Sequence, residues 1–184
     1  MEIDPEAILT EFYPVGSKTR ELLLHHGLQV ARKALDIIDR FSWLNAHRQF
    51  VYEAAMLHDV GIGPTKSPKL GCSGDLPYIC HGVEGRKMLE KVGLHRHGLV
   101  CERHVGVGIC KEEIRLHKLP LPERDMVPSS IEERLVCYAD KFFSKSPKTN
   151  NEKSVDTIQA NLAKYGEAHV TRFLRLHRLF TLGP

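Results

Sequence analysis

The chain of 184 residues suffices for one substantial hydrophobic core and is short for two, and 42% hydrophobic with 27% charged residues is the balance of a folded globular protein, not a disordered one. A formal net charge of +3, without any run of five or six basic residues, leaves no electrostatic footprint for a nucleic-acid duplex. No basic-then-apolar leader and no window near the ~20 apolar residues of a membrane span are present, so a cytoplasmic location without membrane contact is expected.

Asp4-Pro5 followed by acidic Glu6 opens a short helix to Phe12, with proline in its first turn and early negative charge favoured by the helix dipole. Pro14-Val15-Gly16 breaks it. Ser17 caps a long helix to about Arg40, in which Leu22, His26, Val30, Ala34, Ile37 and Phe41 form one stripe at helical spacing. His26 therefore lies on an apolar face, while His25, about 100° round the helix, points off it. Read singly, His26 is a core histidine bonded to a backbone carbonyl.

The next helix begins at Asn45, turns Val51, Ala54, Ala55 and His58 inward, and ends in His58-Asp59 before Gly61 and Gly63. Two ligand-type side chains stand there where the pattern reads as core. Either the pair faces solvent at a helix end capped by Gly61 in the left-handed conformation, or a buried imidazole and carboxylate are compensated by a cation.

Residues 62 to 80 are rich in Gly, Pro, Ser and Lys and read as a long loop that shapes a pocket. His81-Gly82-Val83-Glu84-Gly85 opens a helix to about Val92, and two glycines in a first turn point to close approach by a ligand or another helix. A shorter helix near Gly98 to Val105 carries His104. Residues 106 to 129 are irregular around a short helix at Lys111 to His117. Ser129 or Ser130, with Glu132 and Glu133, starts a firm helix in which Val136, Asp140 and Phe143 share a face. Two amphipathic helices, about Ser154 to Tyr165 and Glu167 to Leu179, complete an all-α reading of six or seven helices without strand-period alternation. His169 and His177 in the last helix read as structural or surface residues.

Five cysteines (Cys72, Cys80, Cys101, Cys110, Cys137) lack any Cys-x-x-Cys spacing, so neither a disulfide framework nor a zinc knuckle is indicated. Eleven histidines are the compositional outlier. Six residues share one property, a ligand type at a position that should be packed: His26, His58, Asp59, His81, His104 and Asp140. If they converge, four imidazoles and two carboxylates make a nitrogen/oxygen site suited to Fe, Mn, Zn, Co or Ni.

The order His26, His58-Asp59, Asp140, with its surroundings Leu24 to Ala31, Ala54 to Gly61 and Val136 to Phe142, resembles the signature of the HD-domain phosphohydrolase superfamily over most of residues 20 to 145. His81 with its Gly-Val-Glu-Gly and His104 after Glu102-Arg103 resemble the two extra histidines of dinuclear members, and Gly108 to Pro128 with Glu132-Glu133 resembles a group of small uncharacterised HD-domain proteins. The resemblance implies a single HD-type helical bundle over residues 1 to 184, with helices from about 150 to 182 packed on the motif core. It implies metal-assisted hydrolysis of a phosphate ester or anhydride, the substrate being a small phosphorylated molecule, foremost a nucleotide. Asp59 would bridge two divalent transition metals, with His26, His58 and Asp140 on one and His81 and His104 on the other; His58 and Asp59 are the catalytic pair. The lysine frequent after His-Asp-x-Gly in the family is replaced by Ile62. Lys66, Arg86, Arg103 and Lys141 are the candidates for binding the phosphate instead. Two other classes fit the same resemblance: a metal-containing nucleotide sensor without turnover, and an HD-like diiron oxygenase.

Overall fold

A computed structural model describes residues 2–145 and 151–183. Among these residues there are nine α-helices: α1 (Pro5–Phe12), α2 (Lys18–Arg40), α3 (Arg48–Leu57), α4 (His81–Lys91), α5 (His95–Arg103), α6 (Lys111–Leu116), α7 (Ile131–Asp140), α8 (Val155–Ala163) and α9 (Glu167–Leu182). The expected count of six or seven was too low, although the short α1, α6 and α8 each fall where the sequence placed a helix; each is anchored by one or two buried side chains. The residue at 150, where the C-terminal segment was expected to begin, lies outside the described residues.

The expected loop at 62 to 80 holds more structure than its composition suggested. It contains two two-residue strands, β1 (Lys66–Ser67) and β2 (Cys72–Ser73), paired antiparallel, between the 3-10 turns Val60–Ile62 and Tyr78–Cys80. Strands this short carry no alternation to read. Asn45 does not start a helix either. It closes a 3-10 turn at Ser42–Leu44 with φ 45, and α3 starts after His47, whose Nδ1 accepts from the Phe50 amide at 3.1 Å.

Serines cap as their sequence context requires: Ser17, Ser130 and Ser154 each accept from the backbone three residues on. The apolar residues form two main clusters. One gathers Val30, Ala31, Ala34 and Ile37 of α2 with Val51, Ala54 and Ala55 of α3, Leu135 and Val136 of α7, and Phe173 and Phe180 of α9. The other gathers Leu9, Leu22, Leu23, Leu57, Val60, Ile62 and Leu89. α2 passes from one cluster to the other between Leu23 and Val30, where His26 stands, and α3 passes between Ala55 and Leu57, directly before His58-Asp59. The polar site is thus inserted at the seam between two apolar cores.

Gly61 is not a left-handed cap. It sits inside the turn Val60–Ile62, packed so tightly on the start of α4 that a Cβ would lie 2.1 Å from both the His81 carbonyl oxygen and the Gly85 nitrogen. Gly82 and Gly85 are required in turn by α5: a Cβ on Gly82 would meet the Cys101 carbonyl at 2.7 Å, and one on Gly85 the Cys101 Cβ at 3.1 Å. A second helix, not a ligand, accounts for the two glycines.

The backbone cannot yield at Gly61. Gly61→Ala is therefore expected to lose at least about 1 to 3 kcal/mol, the usual range for overpacking, or to fail to fold. An unchanged melting temperature for the variant would show that the turn and α4 are not in this contact.

A second expectation concerns the tie between α6 and α9. Burial would raise the Glu113 carboxyl, but the Arg172 guanidinium at 2.6 Å and the Cys110 amide outweigh it and bring its pKa down to about 2. A carboxylate depressed in the folded state adds stability that is complete above its unfolded pKa and is lost as pH falls through the folded value. Glu113→Gln should therefore cost roughly 1 to 2 kcal/mol near pH 7, discounted for partial exposure, with the gap to wild type closing between pH 4.5 and about 2. Urea denaturation across that range measures it; a gap independent of pH would contradict the assignment.

Candidate metal centre

Asp59 follows the last turn of α3, where the backbone leaves the helix at φ −104, ψ 7 and turns the carboxylate inward. Tyr13 holds the following turn in place, donating from its hydroxyl to the Val60 carbonyl and accepting from the Gly63 amide at 2.9 Å. Four imidazoles surround the carboxylate. His26 Nε2 and His58 Nε2 lie 3.4 and 3.3 Å from Asp59 Oδ2, and His81 Nε2 and His104 Nε2 each lie 3.3 Å from Oδ1. Asp140, the last residue of α7, closes one side, with Oδ1 at 2.9 Å from His26 Nε2 and 3.4 Å from His58 Nε2. All six residues are buried.

These side chains fall into two groups that share Asp59: His26, His58, Asp59 and Asp140, and Asp59, His81 and His104. Within each group the ligand-type atoms lie within 4.8 Å of one another. The six positions singled out by sequence pattern are thus brought together from α2, the end of α3, the start of α4, the end of α5 and the end of α7.

The hydrogen bonds show what the cluster fits. His58, His81 and His104 each direct Nδ1 at the carbonyl three residues back, those of Ala55, Tyr78 and Cys101, at 2.6 to 2.7 Å. A carbonyl only accepts, so each Nδ1 carries a proton and each ring turns its Nε2 edge toward Asp59. His81 Nε2 and His104 Nε2 then face each other at 3.2 Å. Both Asp59 oxygens and His58 Nε2 lack any partner in hydrogen-bond geometry. Buried polar atoms without hydrogen bonds around one carboxylate, whose Oδ2 has the Lys145 ammonium at 2.9 Å as its ion-pair partner, are costly in an apolar seam and are what one or two cations would satisfy.

The electrostatics agree. Burial would raise both carboxyls, yet the charges of His58 and Lys145 hold Asp59 well below the usual range, and the charge of Lys141 with the hydrogen bond to His26 does the same for Asp140. For His58, burial pushes downward but the Asp59 charge, then Asp140, carries the pKa up to about 9. For His104, burial dominates and takes it down to about 3.

The basic residues selected from sequence are placed apart from one another. Lys66 is exposed on β1. Arg86 is shared between Glu90 (2.7 Å) and Glu102 (2.6 Å), and Arg103 between Ser129 Oγ (2.8 Å) and Glu133 (2.9 Å), so both guanidinium groups fasten helices to their neighbours. Lys141 does stand at the cluster, with Nζ 2.7 Å from Asp140 Oδ2 and donating to the His104 carbonyl at 3.2 Å.

Lys145 is the residue that sequence reading missed. Its Nζ lies 2.9 Å from Asp59 Oδ2, its side chain is 17% exposed, and Asp59 and Tyr78 hold its pKa well above the usual lysine value against the effect of burial. Residues 141 to 145 follow the end of α7, where no periodicity assigns a direction to a side chain. The one available signal was negative: Ile62 in place of a lysine left a cation to be found elsewhere. Two cavities, of about 660 and 440 Å³, meet at Tyr78, Asp140, Lys141 and Lys145 beside the cluster.

A helical protein with a buried histidine/aspartate centre at the seam of its core is the class that fold and site define. The chain belongs to the HD-domain family, whose model, described as HD domain, matches residues 23–144. Among curated relatives, a tRNA (cytidine(56)-2'-O)-methyltransferase of Picrophilus torridus is 31% identical over 140 residues, covering 76% of this chain and 36% of that protein. Its counterpart in Thermoplasma volcanium is 29% identical over 180 residues, 97% of this chain and 47% of the relative. An uncharacterized protein of Methanocaldococcus jannaschii is 30% identical over 117 residues, 63% and 62% of the two chains. The chain thus spans between about a third and two thirds of the length of these relatives. No solved structure matches it.

If the cluster takes divalent metal, Mn, Co or Zn at a hundredfold excess over its dissociation constant should add about 2.7 kcal/mol of stability. The readout is the melting temperature with and without metal. Asp59→Ala should abolish the shift and His25→Ala, on the exposed side of α2, should keep it; an equal shift in both variants would place the metal elsewhere.

Proposed function

We propose that the protein is a metal-dependent phosphohydrolase acting on a phosphate ester or anhydride of a small molecule, foremost a nucleotide. The observation that carries this reading is the pair of ligand groups sharing Asp59, opening onto cavities whose shared wall bears Lys141 and Lys145. When bound, divalent cations supply Lewis-acid charge to phosphoryl oxygens and lower the pKa of water toward neutrality.

The protein's own residues supply position and charge. His26, His58 and Asp140 would hold one ion, His81 and His104 a second, and Asp59 both. The Nδ1 contacts to Ala55, Tyr78 and Cys101 fix the three rings so that no reorientation is needed on binding. Lys145 places an ammonium on the cavity side of Asp59, where a phosphoryl oxygen would gather, and Lys141 adds a second near Asp140. In this reading Lys145 with Lys141 takes the phosphate-side role for which Lys66, Arg86 and Arg103 were also candidates.

The methyltransferase names of two relatives describe proteins of which this chain matches 36% and 47%. What supports hydrolysis over methyl transfer is the site itself: buried ligand atoms and lysines gather positive charge around an anionic group, which an alkyl transfer does not need.

The test is a nucleotide and phosphomonoester panel with Mn, Fe or Co, in which the purified protein is expected to release phosphate or a nucleoside monophosphate. His81→Ala and His104→Ala should each lose about one metal equivalent and about 10² or more in rate, because several kcal/mol of charge stabilisation go with the second ion. Stabilisation by nucleotide without turnover would identify a sensor, and oxygen consumption by an iron-loaded form an oxygenase; either overturns the proposal.

A further inference from the structure

The two cavities beside the cluster differ in chemistry. The smaller is bordered by Lys141, Lys145, Lys153 and Asn161. The larger is walled by Ile79, Val105, Ile109, Leu119 and Leu162, with Tyr165 at its mouth. Tyr165 is 70% exposed although large and aromatic, on the link between α8 and α9. Among the described residues its one ring neighbour is His169, with centroids 6.3 Å apart.

The lining of the larger cavity includes a hydrogen-bonding group of the wrong charge for phosphate. Glu113 is there, with His117 and His169 beside it. Its Oε1 lies 2.6 Å from Arg172 and 3.4 Å from His169 Nε2, so the carboxylate is fixed in place and its pKa of about 2 keeps it anionic at neutral pH. A second or third phosphate extended into this cavity would meet apolar walls and then a carboxylate. Besides Lys141 and Lys145 on the wall shared with the smaller cavity, the lysine lining this one is Lys164, which is exposed and donates to Asn161.

Building on the phosphohydrolase reading, we propose that the larger cavity is the leaving-group subsite and takes the nucleoside of a nucleoside monophosphate. The base stacks on Tyr165, with its N–H edge toward Glu113. The single phosphoryl group then rests at the Asp59 cluster beside Lys145 and Lys141. In the reaction, a water oxygen forms the new P–O bond as the ester P–O bond breaks. The departing nucleoside oxygen gains a proton that originates from that water, and the products are nucleoside and inorganic phosphate. No oxidant or second substrate is needed.

The experiment uses the whole protein loaded with Mn and four ligands: a nucleoside monophosphate, the matching triphosphate, methyl phosphate and the free nucleoside. Wild type should prefer monophosphate to triphosphate in kcat/KM. Tyr165→Ala should raise KM for the monophosphate about tenfold at nearly constant kcat, the scale of one aromatic–base stack, and leave methyl phosphate unchanged. Tyr165→Phe should restore the wild-type KM. Calorimetric titration of the free nucleoside reads the subsite independently of turnover, with affinity again falling about tenfold in Tyr165→Ala. Hydrolysis of some substrates without any nucleoside binding, or preference for the triphosphate, would overturn this inference and leave the phosphohydrolase reading intact. Nucleoside binding without hydrolysis of anything would uphold the subsite and overturn the hydrolase.

Discussion

One buried carboxylate sets the conditions for the rest of the molecule. Asp59 is 2% exposed, both its oxygens lack hydrogen bonds, and four imidazole nitrogens and an ammonium stand within 3.4 Å of them. Such a group in an apolar seam is unfavourable unless positive charge surrounds it. The fold answers by ending helices there. α3 and α5 terminate at His58 and His104, α4 begins at His81 and α7 finishes at Asp140, so side chains reach one point from backbone that has ceased to be regular. Only His26 comes from a helix interior, and α2 accommodates it by changing from one apolar cluster to the other on either side of it.

This arrangement explains what was legible beforehand. His26 and Asp140 interrupt apolar stripes, and a polar residue in a stripe is visible to periodicity. His81 was visible through its glycines, although they serve the contact of α4 with α5 and not a ligand. Lys145 was not visible, because residues 141 to 145 have no repeating direction and its placement depends on where α7 stops. Arg86 and Arg103 were chosen on charge alone. Their fate was decided by Glu102 and Glu133, carboxylates that sit on neighbouring turns or helices and whose proximity is a tertiary fact.

The loops were legible in role more than in form. Residues 62 to 80 were expected to shape the pocket, and they contribute Leu70, Tyr78 and Ile79 to its walls, to which residues 106 to 129 add Ile109 and Leu119. Their irregular backbone is held by contacts that leave no sequence pattern, such as the Ile109–Met126 bridge and the Lys66 amide donating to the Leu76 carbonyl. The contribution of α8 and the start of α9 to the cavity was not anticipated, since both read from sequence as plain amphipathic helices.

The glycine contacts have a bearing beyond packing. Gly61 follows Asp59 by two residues, Gly82 and Gly85 follow His81, and the backbones of Gly61 and Gly85 touch directly, with Cys101 of α5 beneath. Side chains that separate helices act as springs, compressing or swapping rotamers when neighbours change; bare backbone in contact is closer to a machined stop. The distance between the two ligand groups is therefore gauged by main chain. Drift in the surrounding apolar residues can alter stability, and through it abundance, while the gauge between the groups keeps its setting.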